Sequence, residues 1–248
     1  ISEQLRAAQD DELPLALARH AILAGIPDER VREVSANDLV WQGQQGESFE
    51  AKLARFAIIL AGLQGLVPGS LDLAVVLTGL GTAYYDRGDL DRALAHYERG
   101  LEIRQRLAPD SLDLATSLNN VGLVYWTRGE LDRALDYLQR SFEITERIAP
   151  DSLELAASLD NLGNVYHARG KLDQALDYHQ RSLKLREALA PDSLGRASTA
   201  NNIGTVYYDR GDLDGALRYY QLSLELEERL APDSTGLAST LHNIANVY

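Results

Sequence analysis

Between Leu112 and Arg128, apolar residues recur at steps of three and four. Leu118, Val121 and Tyr125 share one side of a helix, with the small Gly122 beside them. The segment that follows repeats the period with Leu131, Ala134, Leu138 and Phe142, so a second amphipathic helix is expected. Forty-one residues on, the first pattern returns as Leu159, Leu162, Gly163 and Tyr166. The prolines mark the same interval, at Pro68, Pro109, Pro150, Pro191 and Pro232, each 41 residues from the last. After each comes a Gly-Ser or Asp-Ser pair, with Asp or Ser placed to cap the free amides of a helix; Asp151 and Glu154 have the spacing of a capping box. Gly88, Gly129, Gly170 and Gly211 stand where that helix should stop, free to take the left-handed conformation. A second helix is then expected to begin at Asp89, Glu130, Lys171 or Asp212 and to run to the next proline. The predicted units are 70–110, 111–151, 152–192 and 193–233, with a partial fifth over 234–248.

A single helix pair cannot bury so many apolar groups, whereas stacked pairs can, each against its neighbours. Small residues such as Gly122 and Ala134 would let two helices approach closely where they cross. The first unit has Leu80, Gly81, Tyr84, Gly88, Ala93, Tyr97 and Gly100. The second has Val121, Gly122, Tyr125, Gly129, Ala134, Leu138 and Ser141, and the third Leu162, Gly163, Tyr166, Gly170, Ala175, His179 and Ser182. In the fourth these are Ile203, Gly204, Tyr207, Gly211, Ala216, Tyr220 and Ser223. This run resembles the tetratricopeptide repeat, with Leu138 and His179 departing from it at the aromatic position. Each unit is longer by about two turns than the ordinary repeat of about 34 residues. It is most similar to the kinesin-light-chain type and to bacterial arrays beside CHAT proteases or STAND ATPases. The resemblance implies an all-α, right-handed superhelical solenoid of antiparallel helix pairs over 70–248.

Residues 1–69 fit less well. Leu53, Phe56 and Leu60 align with Leu94, Tyr97 and Leu101, as in a degenerate half repeat, and two further helices upstream would cap the array. With no methionine even at position 1, the chain is expected to be a piece of something longer.

Acidic residues outnumber basic ones 37 to 24, a formal charge of −13, which disfavours nucleic acid as a partner. The longest apolar run, 56–67, is interrupted and too short to span a bilayer, and there is no signal peptide, so a cytoplasmic location is expected. The absence of cysteine excludes disulfides and thiolate chemistry and leaves the redox compartment open. The histidines His20, His96, His167, His179 and His242 have no metal-ligand spacing, and no nucleophile, base and oxyanion site assemble. Neither a catalytic activity nor a cofactor is expected. His179 falls at a packing position and reads as a core residue.

Asparagine, a mediocre helix former, recurs inside the first helices. In the tetratricopeptide family these helices line an inner wall. Carried over by position, that wall holds Asn119, Asn120, Leu123 and Trp126, then Asp160, Asn161, Asn164 and His167. Next come Asn201, Asn202, Thr205 and Tyr208, and then His242, Asn243 and Asn246; unit one has Thr78, Gly79, Thr82 and Tyr85 instead. An amide has one acceptor and two donor hydrogens, enough to bond both polar groups of a peptide backbone. Helices about 8–10 Å apart would set one Asn against about every third residue of a strand rising about 3.3 Å per residue. Tyr85, Trp126, His167 and Tyr208 would supply side-chain pockets. The same amides could instead bond the neighbouring helix and hold the stacking, so both readings stand.

Two functions are in play: a scaffold for an extended peptide or a partner helix, and a regulatory arm of a larger enzyme whose groove holds another part of its own chain. Self-association through the array ends is a third outcome.

Overall fold

A computed structural model describes residues 70–248. The half repeat with Leu53, Phe56 and Leu60, and the helices expected upstream of it, lie outside the described residues. The described residues form an all-α fold of nine consecutive helices: α1 Leu71–Asp86, α2 Leu90–Leu107, α3 Leu112–Thr127, α4 Leu131–Ile148, α5 Leu153–Ala168, α6 Leu172–Leu189, α7 Leu194–Asp209, α8 Leu213–Leu230 and α9 Thr235–Val247. First helices of successive pairs begin at 71, 112, 153, 194 and 235, and second helices at 90, 131, 172 and 213, every step again 41 residues.

Serine, rather than aspartate, starts each first helix. Oγ of Ser70, Ser152, Ser193 and Ser234 accepts from the amide three residues on, at 3.1–3.2 Å. Ser111 accepts from Leu114 in the same way. Ser111, Ser152 and Ser193 also donate to the carbonyls of Ala108, Ala149 and Ala190, so one hydroxyl joins the end of a helix to the start of the next. The expected Asp151–Glu154 capping box is therefore displaced by one residue: Ser152 is the cap, which puts Leu155 where the box needs an acid. At the other end, Gly170 has φ +70°; its N–H donates to His167 and that of Lys171 to Tyr166. This double bond satisfies two of the orphan carbonyls of α5.

Two compact units divide the chain, 1–124 and 125–248. In the first, α1 and α2 form a hairpin. Gly81 receives the Tyr97 ring, since a Cβ there would lie 2.5 Å from Cδ1 of the ring. In the second, α5, α7 and α9 lie side by side, each packed on the second helix of the preceding pair, α4, α6 and α8 respectively. Ala175, Leu176, Leu183, Ile203 and Val206 form a continuous core there, edged by Tyr166, Tyr207 and Tyr219. Gly163 and Gly204 meet His179 and Tyr220 as Gly81 meets Tyr97.

Candidate functional site

The first helices of the second unit carry the candidate side chains on adjacent rods. Asn161, Asn202 and Asn243 hold the same position on α5, α7 and α9, and each is half-buried. One turn further stand Asn164 and Thr205, both half-buried, and Asn246, exposed. Beyond them are His167, half-buried, and Tyr208, 38% exposed; Trp126, in the last turn of α3, is 37% exposed. His242 is exposed. Asn119, Asn120 and Leu123 lie in the first unit, half-buried on α3.

The preceding column does different work. Asp160 is largely enclosed: its Oδ2 accepts from Arg186 Nε and Nη2 at 3.2 and 3.1 Å and from Thr199 Oγ1 at 2.7 Å, and its Oδ1 meets His179 Nδ1 at 3.2 Å. Asn201, at the equivalent position on α7, accepts at Oδ1 from Thr240 Oγ1 at 3.3 Å and from Asn243 Nδ2 at 3.0 Å. Asp160 and Asn201 thus tie a helix to its successor. In Thr205 the hydroxyl donates to the Asn201 carbonyl and receives the Tyr220 hydroxyl at 3.3 Å. Asn202, by contrast, makes no side-chain hydrogen bond to another described residue.

His167 Nε2 lies 2.6 Å from Oδ2 of Asp209, a bond between neighbouring first helices. Among the described residues, Asp160, Asp209 and Glu154, the last in the first turn of α5, are the acids carried by α5, α7 and α9. Every other acid of the described second unit belongs to α4, α6, α8 or a turn. An amide- and hydroxyl-lined face therefore stands against an acidic opposite layer. A cleft of about 440 Å³ lies between α4 and the end of α5, lined by Asp132, Asp136, Arg140, Glu143, Tyr166 and Arg169. Its charges are largely spent on one another, Arg169 on Asp132 at 2.9 Å and Arg140 on Asp136 at 3.7 Å.

Aromatic pairs brace each hairpin: Tyr125 stacks on Tyr137, Tyr166 on Tyr178 and Tyr207 on Tyr219, with ring centroids 5.3–5.6 Å apart. Arg133, Arg181 and Arg218 lie over rings of these pairs. Burial pushes the Tyr178 and Tyr220 hydroxyls above their usual pKa, and pushes Tyr97 up to about 12. Sequence reasoning singled out Tyr125, Tyr166 and Tyr207 but passed over Arg186, Thr199, Thr240 and the stacking partners Tyr137, Tyr178 and Tyr219. Their partners stand 12 to 39 residues away, so only the 41-residue register could have signalled them. Among the described residues no cluster of His, Asp or Glu could hold a metal ion, and no helix is long and apolar enough to cross a membrane.

The repeat geometry has counterparts among known proteins. The tetratricopeptide repeat family model matches residues 72–147, 113–188 and 195–248. Comparison with curated proteins found no match. Among solved structures, BtubC (BKLC) from P. vanneervenii is similar with a TM-score of 0.70 and 21% identity, over 82% of this chain and 84% of that one. The nearly identical TPR-like repeats of a putative kinesin light chain from Podosopora anserina superpose with a TM-score of 0.59 at 16% identity, over 69% of this chain and 83% of that one. A point variant of those same repeats gives a TM-score of 0.60 with the same identity and coverage.

Proposed function

Because the chain belongs to the tetratricopeptide repeat family, whose repeats serve protein–protein interaction, we propose that it is a non-catalytic cytoplasmic scaffold that binds an extended peptide or a partner helix across its first helices. The observation that carries this is the repeated half-buried amide at one position of three adjacent helices, Asn161, Asn202 and Asn243, with Asn202 unspent inside the fold. In the first unit Asn120 occupies the equivalent place in the repeat, with Asn119 and Leu123 near it in sequence. An amide held on a rigid helix meets a peptide C=O or N–H at little entropic cost. Asn164, His167, Trp126 and Tyr208 add polar and aromatic contacts of the kind that give specificity. Because the face is nearly free of acids, backbone bonding and shape, rather than charge, select the ligand. His167 and Asp209 form a polar pair that a charged ligand group could enter.

The test is selection of peptides from a random display library on the 248-residue chain, followed by calorimetric titration of the winners. N164A/N202A is expected to weaken binding about tenfold or more, each lost hydrogen bond contributing about 1 kcal/mol. D136N/E143Q, on the opposite layer, should leave affinity unchanged. Equal binding by N164A/N202A and the unaltered chain, or loss only with D136N/E143Q, would move the site off the first helices. A selection that yields no binder also counts against the reading.

A further inference from the structure

Buried polar side chains cross the repeat boundaries at fixed positions 41 residues apart, and the sets are not alike. At the boundary of α1 and α2 with α3, Arg104 is 6% exposed and donates at 2.7 Å to both Thr78 Oγ1 and Ser117 Oγ. At that of α5 and α6 with α7, the equivalent residues are Asp160, Arg186 and Thr199, and every one is bonded within the set. The boundary of α7 and α8 with α9 has Asn201, Glu227 and Thr240. Asn201 and Thr240 are bonded, but the Glu227 side chain is 6% exposed and its Oε2 has no hydrogen-bond partner. Gly236 makes room for it, since a Cβ there would lie 2.7 Å from Oε1, just as a Cβ on Gly195 would run into the Arg186 guanidinium.

The same scaffold therefore holds one joint whose equivalent residues are all bonded, with Arg196 Nε beside it left unpartnered, and one joint whose enclosed carboxylate is left short of a donor. A buried carboxylate oxygen with no donor destabilises its surroundings, whereas Asp160 offsets its desolvation with a guanidinium, a hydroxyl and an imidazole. We propose that the joint of α9 with α7 and α8 is an opening point built into the array, one that parts before the joint of α5, α6 and α7. Opening relieves the enclosed Glu227 and releases the Asn243 amide from Asn201.

Because Gly236 and Thr240 already match Gly195 and Thr199, N201D/E227R would rebuild the fully bonded set in the joint of α9. Hydrogen exchange of the full 248-residue chain reads the result. Relative to α7, the amides of α9 are expected to gain about tenfold or more in protection in N201D/E227R. E227Q keeps the shape, removes the charge and adds a donor, and should change protection in the same direction by less. A helix that exchanges readily only because it lies at a chain end would show the same rates in all three proteins, which would overturn the proposal. So would a fall in α9 protection in E227Q while α5–α7 stay unchanged. If N201D/E227R fails to fold, the E227Q comparison alone decides.

Discussion

Ser182 shows how a single side chain can be both filler and fastener. The tetratricopeptide pattern asks for a small residue at this position; here its buried hydroxyl also donates to the Ala156 carbonyl on α5 at 2.8 Å, and Ser223 repeats the bond to Ala197 on α7. Ser182→Ala keeps the small volume but loses the bond, so it is expected to lower stability by about 1 kcal/mol, read by urea unfolding. Gly100 does the same packing work with no hydroxyl, its absent Cβ lying 3.3 Å from the Ala74 carbonyl oxygen. The tyrosines carry a pH signature. Tyr97 is pushed up to about 12 by burial, so between the ordinary phenol value near 10 and about 12 the unfolded chain has lost its proton and the folded one has kept it. The unfolded state then binds fewer protons, and stability must fall as pH rises through that window. Unfolding curves taken along an alkaline series should show the decline, and Tyr97→Phe should blunt it.

For the elements, the expectation drawn from punctuation was largely sufficient. First helices start at Ser caps and end before Gly. Second helices start at Asp89 and Asp212 or, uncapped by a side chain, at Glu130 and Lys171 and end before the prolines, and all obey the 41-residue register. Gly170 illustrates the physics: at φ +70° an alanine would meet its own backbone, so Gly170→Ala is expected to cost about 1 kcal/mol in thermal or urea unfolding, although nothing lies within 4 Å of the new methyl. What the sequence left undecided was finer. Asp151 and Ser152 are adjacent and both able to cap, so only the backbone distinguished them. The two neighbouring asparagine columns looked alike, yet a step of one residue turns a helical side chain by about 100°. Asp160 and Asn201 face the next repeat while Asn202 remains unspent, a difference set by partners such as Arg186 and Thr199 that are remote in sequence. His179 was legible as a core residue, 1% exposed, but its bond to Asp160 was not.

Across the whole molecule, charge is placed where it does least for packing. Most described acids are exposed; with a formal charge of −13, mutual repulsion is expected to outweigh the exposed ion pairs between successive repeats, such as Arg169 with Asp132, Arg210 with Asp173 and Arg181 with Glu146. Each such pair contributes little. Added salt screens the repulsion, so the melting temperature is expected to rise or hold between low and physiological ionic strength, followed by circular dichroism. A fall would mean that the inter-repeat pairs act as a network. The constant 41-residue register also has a consequence for the gene. Recombination between two copies of related text would add or remove three times 41 nucleotides, with a crossover in the recurring Ala-Pro-Asp-Ser codons leaving every cap intact. A duplicate of 193–233 would set Glu227 against Gly195, as small as the Gly236 it now faces, so the coding sequence can lengthen by a whole hairpin without a new side chain having to arise.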